Sequence, residues 1–240
     1  MRPPGASRPA ADALGAIAAW VVVEAGVRWT AQALLVLAAP DGRAAPGRLE
    51  AADAWALLMV AGLSWALFAR LARARQLGWS GLGYRLDRAA MAAGLLGGLA
   101  MAAAAAGAAV GVDVPVFGLR LDDEKLRGVV EAGPWVAALM LLGNGIAGPA
   151  AEEYAWRGYI QRAAVAAWGR GTGVALTAGA FAAKHVLVDL SVARTASLLI
   201  VAVGLGLVAA RWGTAASTIA HVILNTGASV ALLVLALRGA

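Results

Sequence analysis

Apolar segments of about 20 residues, the length that crosses a bilayer as a helix, follow one another along almost the whole chain. Hydrophobic residues make up 61% of the sequence and charged residues 14%, and the mean hydropathy is +0.75. In lipid a helix satisfies its own backbone hydrogen bonds, which an open strand cannot do. The sequence therefore predicts an all-α fold, a polytopic transmembrane helix bundle with about seven spans.

The predicted spans group into three regions. Residues 1–134 are expected to form N-terminal transmembrane helices with a basic cytoplasmic tail and loop, residues 135–230 a functional core, and residues 231–240 the end of the last helix and a C-terminal tail. Pro149, which follows three glycines, is expected to kink the fourth helix, and residues 158–170 are expected to lie at the membrane interface. The spans are predicted at about 13–39, 52–70, 89–112, 134–153, 172–190, 195–210 and 214–237.

The charges between the spans predict the topology. The net charge of +6 comes from arginines in short loops, most of all between residues 70 and 88. Under the positive-inside rule this loop and the tail, residues 1–12, lie in the cytoplasm, and the tail is expected to be disordered. The acidic stretch 113–131 then lies outside, where part of it could form a surface amphipathic helix. This pattern predicts a multi-pass protein of the cytoplasmic membrane and argues against nucleic acid as a partner. Sparse lysine with abundant alanine, arginine and glycine favours a bacterial source.

The absence of cysteine and the charges in the first apolar stretch limit the kinds of site and of N-terminal segment that the chain can have. The chain has no cysteine, which excludes disulfides, thiolate metal sites and a cysteine nucleophile. Glu24 and Arg28 interrupt the first apolar stretch, so a retained helix is expected rather than a signal peptide. These two residues are four apart, share a helix face and are expected to pair.

Two adjacent carboxylates, Glu152 and Glu153, stand at the end of the fourth apolar segment. Charged groups inside a membrane are costly and usually functional. Adjacent helical residues point about 100° apart, so the two carboxylates cannot do the same job. Glu153 is four residues before Arg157 and is expected to pair with it. Glu152 is then the carboxylate expected to face a cavity.

The two histidines of the chain lie in later apolar segments. His185 shares a helix face with Phe181, and His221 shares one with Asn225, since each pair is four residues apart. We expect these faces to converge with Glu152 on one polar site that opens towards the cytoplasmic half of the bundle. A glutamate in an apolar cavity can accept a proton from water, and a histidine and an amide can donate to an oxyanion.

A divalent metal such as zinc is the alternative that these residue types leave open. Glu152, His185 and His221 would be its ligands. The chain lacks a His-Glu-x-x-His sequence, so the usual zinc signature does not decide the question.

Three motifs carry a family resemblance: Glu152-Glu153-x-x-x-Arg157, Phe181-x-x-x-His185 and His221-x-x-x-Asn225. In this order across apolar segments they resemble the CAAX-processing and bacteriocin-processing intramembrane proteases, the CPBP or Abi family. The resemblance covers about residues 135–230.

The resemblance implies an intramembrane endopeptidase that acts on membrane-associated peptides or proteins, either prenylated CAAX-type proteins or leader peptides. It implies Glu152 as the base that activates water and His185 as its partner or a metal ligand. His221 and Asn225 complete the site. Glu153 is counted with this catalytic set, and Arg157 and Phe181 are its structural support.

Two other function classes are compatible with the same residues. A proton- or ion-coupled transporter could use Glu152, His185 and His221 as a relay, and a non-catalytic scaffold or immunity protein could keep them for structure alone. Lys184, next to His185, is unusual for the family. It could lower the basicity of His185, bind a substrate carboxylate, snorkel to the interface or pair with Asp189.

Overall fold

The computed structural model describes residues 8–39, 45–119 and 123–239. Within these ranges the chain forms helices joined by short turns, and each predicted span corresponds to one long helix. The polytopic all-α bundle is confirmed. The helices are α1 (Arg8–Ala38), α2 (Pro46–Ala74), α3 (Arg88–Phe117), α4 (Asp123–Ala132), α5 (Pro134–Trp168), α6 (Arg170–Asp189), α7 (Thr195–Trp212) and α8 (Thr214–Gly239).

Six of the described helices, α1, α2, α3, α5, α6 and α7, are long and apolar enough to cross a membrane. The seventh predicted span is α8, which has 26 residues. Because each long helix is joined to the next by a short connection or by α4, consecutive long helices run in opposite directions. The bundle thus has two ends, and we call the one that holds residues 70–88 the basic end.

Several helix ends differ from the predictions. Residues 8–12, expected to belong to a disordered tail, form the first turns of α1, whereas residues 1–7 lie outside the described part of the chain. Helix α2 begins at Pro46, within the expected loop, because proline has no N–H that a first helical turn would leave unbonded. Residues 40–44 also lie outside the description. Residues 158–168, expected at the interface, continue α5 as helix.

The acidic stretch 113–131 contains the amphipathic helix that was expected, and this is α4. Helix α4 packs against α2 and α8, and its Val129 is only 4% exposed. A Cβ atom on Gly128 would lie 2.8 Å from Glu50 Cγ, so the two helices approach closely. Residues 120–122 lie outside the described ranges. Helix α4 is therefore part of the bundle rather than a separate surface helix.

Helix α5 contains two π-helical segments, Leu141–Ala147 and Tyr154–Ile160. The first directly precedes the turn that contains Pro149. Proline has no N–H, so in a regular α-helix the carbonyl four residues before it would lack a hydrogen-bond donor. The kink expected at this proline thus takes the form of a π-helical distortion. The two segments flank Glu152 and Glu153, so they determine where these carboxylates point.

The largest apolar cluster joins the N-terminal helices to the rest of the bundle. Trp20 of α1 and Phe68 of α2 pack with Trp156 of α5 and Phe181 of α6, and all four side chains are 0–1% exposed. The ring centroids of Trp20 and Trp156 are 6.3 Å apart in an edge-on contact, a geometry that aromatic pairs favour. The division of the chain at residue 134 remains a prediction, and this cluster crosses it.

Glycines let α3 and α8 approach closely. A Cβ atom on Gly94 would lie 2.7 Å from Ile219 Cβ, and one on Gly98 would lie 2.8 Å from the Ala220 carbonyl oxygen. Small residues permit such contacts between membrane helices. The contact is one turn or less from His221 and fixes the position of α8.

Replacing Gly98 by alanine should destabilise the protein by about 1–3 kcal/mol, because the added methyl group overlaps the backbone of α8. The measurement is thermal unfolding of purified protein in detergent. Gly107→Ala on the same helix is the matched control, since nothing lies within 4 Å of a Cβ atom there. Equal melting temperatures for the two variants would contradict the close contact.

Candidate active site

A cavity of about 450 Å³ lies among the helices, and four predicted catalytic residues line it. They are Glu152, His185, His221 and Asn225. Phe181 also lines the cavity, whereas Glu153 and Arg157 are absent from its walls. The structure thus brings the three motifs together, with Glu152 as the carboxylate that faces the cavity.

Glu153 and Arg157 form the ion pair that their spacing predicted. Their side chains are 0% and 1% exposed, and Arg157 Nη1 lies 2.9 Å from Glu153 Oε1. The guanidinium also donates to the Ala202 carbonyl oxygen at 3.2 Å and lies 4.3 Å from the centre of the Phe181 ring. Arg157 therefore compensates a carboxylate that water cannot reach.

His221 lies between the two carboxylates. Its Nδ1 is 3.0 Å from Glu153 Oε1, and its Nε2 is 3.7 Å from Glu152 Oε2. A carboxylate paired with a guanidinium accepts hydrogen bonds, so Nδ1 of His221 carries a proton that it donates to Glu153. Nε2 is then the imidazole atom that faces Glu152. Glu153 acts on the site by orienting this ring.

His185 has its ring fixed by its own helix. Its Nδ1 lies 3.0 Å from the Phe181 carbonyl oxygen, one turn earlier. A carbonyl oxygen can only accept, so Nδ1 donates its proton there. The Nε2 atom of neutral His185 therefore has a free lone pair and can accept a hydrogen bond. It is not an oxyanion donor in this state.

Glu152 contacts a lysine on another helix, which the sequence does not predict. Its Oε1 lies 2.5 Å from Lys184 Nζ, and the same Nζ lies 2.7 Å from Glu24 Oε2. Trp20 Nε1 donates to Glu24 at 2.7 Å. Together with the contacts among Glu153, Arg157 and His221, these contacts link six side chains into one set, which we call the buried charge chain. Its members are Glu24, Lys184, Glu152, His221, Glu153 and Arg157.

The predicted pairing of Glu24 with Arg28 is wrong, and two of the alternatives for Lys184 do not occur. Glu24 pairs with Lys184, and Arg28 instead binds Asp189 at 2.6 Å and Asp53 at 3.2 Å. Lys184 does not pair with Asp189 and does not snorkel, because its side chain is 0% exposed. Its burial also argues against direct binding of a substrate carboxylate. A lysine among apolar residues signals a counter-ion inside the bundle, but only the packing of α1 against α6 identifies Glu24.

Asn225 binds the π-helical part of α5. Its Nδ2 donates to the Asn144 carbonyl oxygen at 3.0 Å, and Thr226 Oγ1 donates to the Gly145 carbonyl oxygen at 3.2 Å. Asn144 in turn donates from its side chain to Ser229 Oγ at 2.9 Å and lines the cavity. The side chains of α8 therefore satisfy carbonyls near the π-helical turns. One N–H of the Asn225 amide remains for another partner.

The cavity extends in the direction opposite to the one expected. Its walls continue from Glu152 to Asp53, Asp189 and Arg194. Asp53 lies near the start of α2, whereas the basic end follows the end of α2. The residues that line the cavity therefore lie in the half of the bundle away from the basic end, whereas the site was expected to open towards that end.

The donors proposed for a metal do not fit a metal ion as they are arranged. Within the described ranges, no three His, Cys, Asp or Glu side chains form a group that could hold one. Glu152 Oε1 already binds the ammonium group of Lys184. Glu152, His185 and His221 are therefore not arranged as a three-ligand metal site.

Comparison with known proteins gives one family. Residues 134–227 match the model of the family described as type II CAAX prenyl endopeptidase Rce1-like. No curated protein and no solved structure matches the chain. The match confirms the family resemblance carried by the three motifs. Residues 134–227 are therefore similar to the Rce1-like family, and they lie within a multi-pass membrane protein.

Arg157→Met should lower the stability more than Glu152→Gln. Removing Arg157 strands the carboxylate of Glu153 in a fully buried site, a loss of about 3–5 kcal/mol. Removing the charge of Glu152 leaves Lys184 with Glu24 as its partner. Thermal unfolding and the yield of monodisperse protein in detergent measure the difference. Equal melting of the two variants would refute the role assigned to Arg157.

Proposed function

We propose, from the match of residues 134–227 to the Rce1-like family model, that this protein is an intramembrane endopeptidase in which Glu152 activates water. Its substrates are membrane-associated proteins with a prenylated CAAX-type C-terminus, or leader peptides. The cytoplasmic membrane and a cytoplasmic N-terminus belong to this proposal.

The observation that carries the mechanism is the unequal surroundings of the two Glu152 oxygens. Oε1 is bound by Lys184, whereas Oε2 lies beside His221 Nε2 at 3.7 Å, a distance too long for a direct hydrogen bond. A water molecule in the cavity could reach both atoms. The carboxylate is therefore held by one oxygen and has the other available as a base.

The charges of the buried charge chain suggest what His221 does. Its three glutamates and two fixed cations, Lys184 and Arg157, leave one negative charge uncompensated. With a proton on Nε2 as well as on Nδ1, His221 presents an N–H to the cavity side of Glu152, suited to an oxyanion that develops in the reaction.

The proposed reaction follows from these positions. Glu152 Oε2 removes a proton from water, and the resulting hydroxide attacks the carbonyl carbon of the scissile bond. His221 Nε2–H and the free N–H of Asn225 donate to the oxyanion, while His185 Nε2 accepts a hydrogen bond from the water. When the tetrahedral intermediate collapses, the scissile C–N bond breaks and Glu152 passes its proton to the leaving amine. His185 serves to orient the water, because its Nδ1 proton is already donated to Phe181.

The transporter and the scaffold are the alternatives. The family match supports the protease, and no contact among the described residues specifically favours either of the others. A carrier would show flux coupled to a pH gradient in proteoliposomes. A non-catalytic scaffold would keep its full function when Glu152 is replaced.

Glu152→Gln should reduce the cleavage rate by roughly 10³-fold, since loss of a general base removes a factor of about 10²–10⁴. The assay follows an internally quenched peptide with a farnesylated cysteine three residues from its C-terminus, incubated with purified protein in detergent. Glu131→Gln is the control, because Glu131 is exposed on α4 and is not part of the cavity wall. Equal rates for both variants would overturn the assignment of Glu152.

Cleavage should survive removal of divalent metals. Glu152, His185 and His221 do not form a three-ligand group, and Lys184 supplies the cation next to Glu152. The test is the same assay after dialysis against a strong chelator, with a zinc peptidase treated in parallel as a positive control. Activity that is lost and returns with added zinc would show that these residues rearrange into a metal site.

A further inference from the structure

We propose that Lys184 and Glu24 form a positioning pair that holds one oxygen of Glu152 and leaves the other for water. The inference deepens the proposed function and rests on it. It assigns a role in the reaction to α1, a helix outside the matched residues 134–227.

The position of Lys184 shows that it acts through another residue. Its side chain is 0% exposed and is absent from the cavity wall, whereas Glu24 and Glu152 both line the cavity. Its Nζ lies between them, 2.7 Å from Glu24 Oε2 and 2.5 Å from Glu152 Oε1. A substrate in the cavity would meet Glu152 and not the ammonium group.

The surroundings of Lys184 restrict where its ammonium group can lie. The Nζ is 5.6 Å from the centre of the Trp20 ring and 5.1 Å from that of Phe181. Aromatic faces attract cations and also exclude water. The long lysine side chain, which is flexible at a surface, is therefore confined between two rings and two carboxylates.

Glu24 gives Lys184 a partner that does not depend on the state of Glu152. Trp20 Nε1 donates to Glu24 Oε2 at 2.7 Å and fixes that carboxylate on α1. When Glu152 takes a proton from water, its negative charge disappears, and a lysine with no other partner would become an uncompensated buried charge. Because Glu24 remains ionised beside it, Lys184 stays in place through the reaction.

A purely structural ion pair between α1 and α6 is the competing explanation, and it makes a different prediction for a double variant. If Lys184 only compensates Glu24, removing both charges should restore stability and activity together. If Lys184 positions Glu152, removing both charges should restore stability alone, since Oε1 of Glu152 would still lack its donor.

The experiment compares Lys184→Met, Glu24→Gln and the double variant with the unchanged protein, using the farnesylated quenched peptide in detergent. Thermal unfolding is measured on the same samples. Lys184→Met should melt earlier and lose roughly 10²-fold in kcat, the effect of removing one preorganised donor from a site, with KM nearly unchanged. The double variant should recover most of the melting temperature and keep the low kcat. Glu24→Gln, which retains the contact of Lys184 with Glu152, should lose less in kcat than Lys184→Met.

Two results in kcat would overturn the positioning pair while leaving the proposed function intact, provided that Glu152→Gln is inactive. One is a double variant with the kcat of the unchanged protein. The other is a folded Lys184→Met variant with unaltered kcat. If the unchanged protein does not cleave the peptide, or Glu152→Gln cleaves it normally, the proposed function fails and the positioning pair fails with it. A loss that appears in KM alone would also refute positioning of the reacting carboxylate.

Discussion

Charges buried in an apolar bundle need counter-charges inside the bundle, and the packing of this protein around its cavity depends on that constraint. The buried charge chain draws its members from α1, α5, α6 and α8. A helix that shifted along its axis would separate at least one ion from its partner, at a cost of several kcal/mol. The same contacts that make the bundle specific also place a carboxylate and an imidazole together at the cavity.

The backbone of α5 adapts to this arrangement. The π-helical segments before and after Glu152 change the direction of side chains relative to a regular α-helix. Asn225 and Thr226 satisfy carbonyls of the first segment, so α8 stabilises the distortion that it contacts. The glycines of α3 let α8 approach closely enough to bring His221 to Glu152 and Glu153. The π-helical segments of α5 and the close contact of α3 with α8 therefore both determine the positions of the side chains around Glu152.

The N-terminal helices are more than a membrane anchor in this structure. Trp20 contributes both to the aromatic core and to the hydrogen bond that fixes Glu24. Arg28 reaches Asp189 at the end of α6 and Asp53 on α2. A region without recognisable motifs thus supplies charges to a cavity whose motifs all lie in the second half of the chain.

The sequence by itself determined the spans and the pairing of Glu153 with Arg157. Apolar length predicts the membrane helices, and the four-residue spacing places Glu153 and Arg157 on one helix face, because both depend only on helix geometry. The three motifs also carried the family resemblance that the match of residues 134–227 supports.

Only the tertiary structure decided the contacts between helices. Glu24 was expected to pair with Arg28 four residues away, and Asp189 was one possible partner of Lys184, yet Glu24 and Lys184 pair with each other across 160 positions. Spacing along one helix says which residues share a face, but not which face of another helix meets it or at what depth. Those depend on the rotation and tilt that packing sets, so the cavity's direction and the partners of Glu152 became apparent only from the folded bundle.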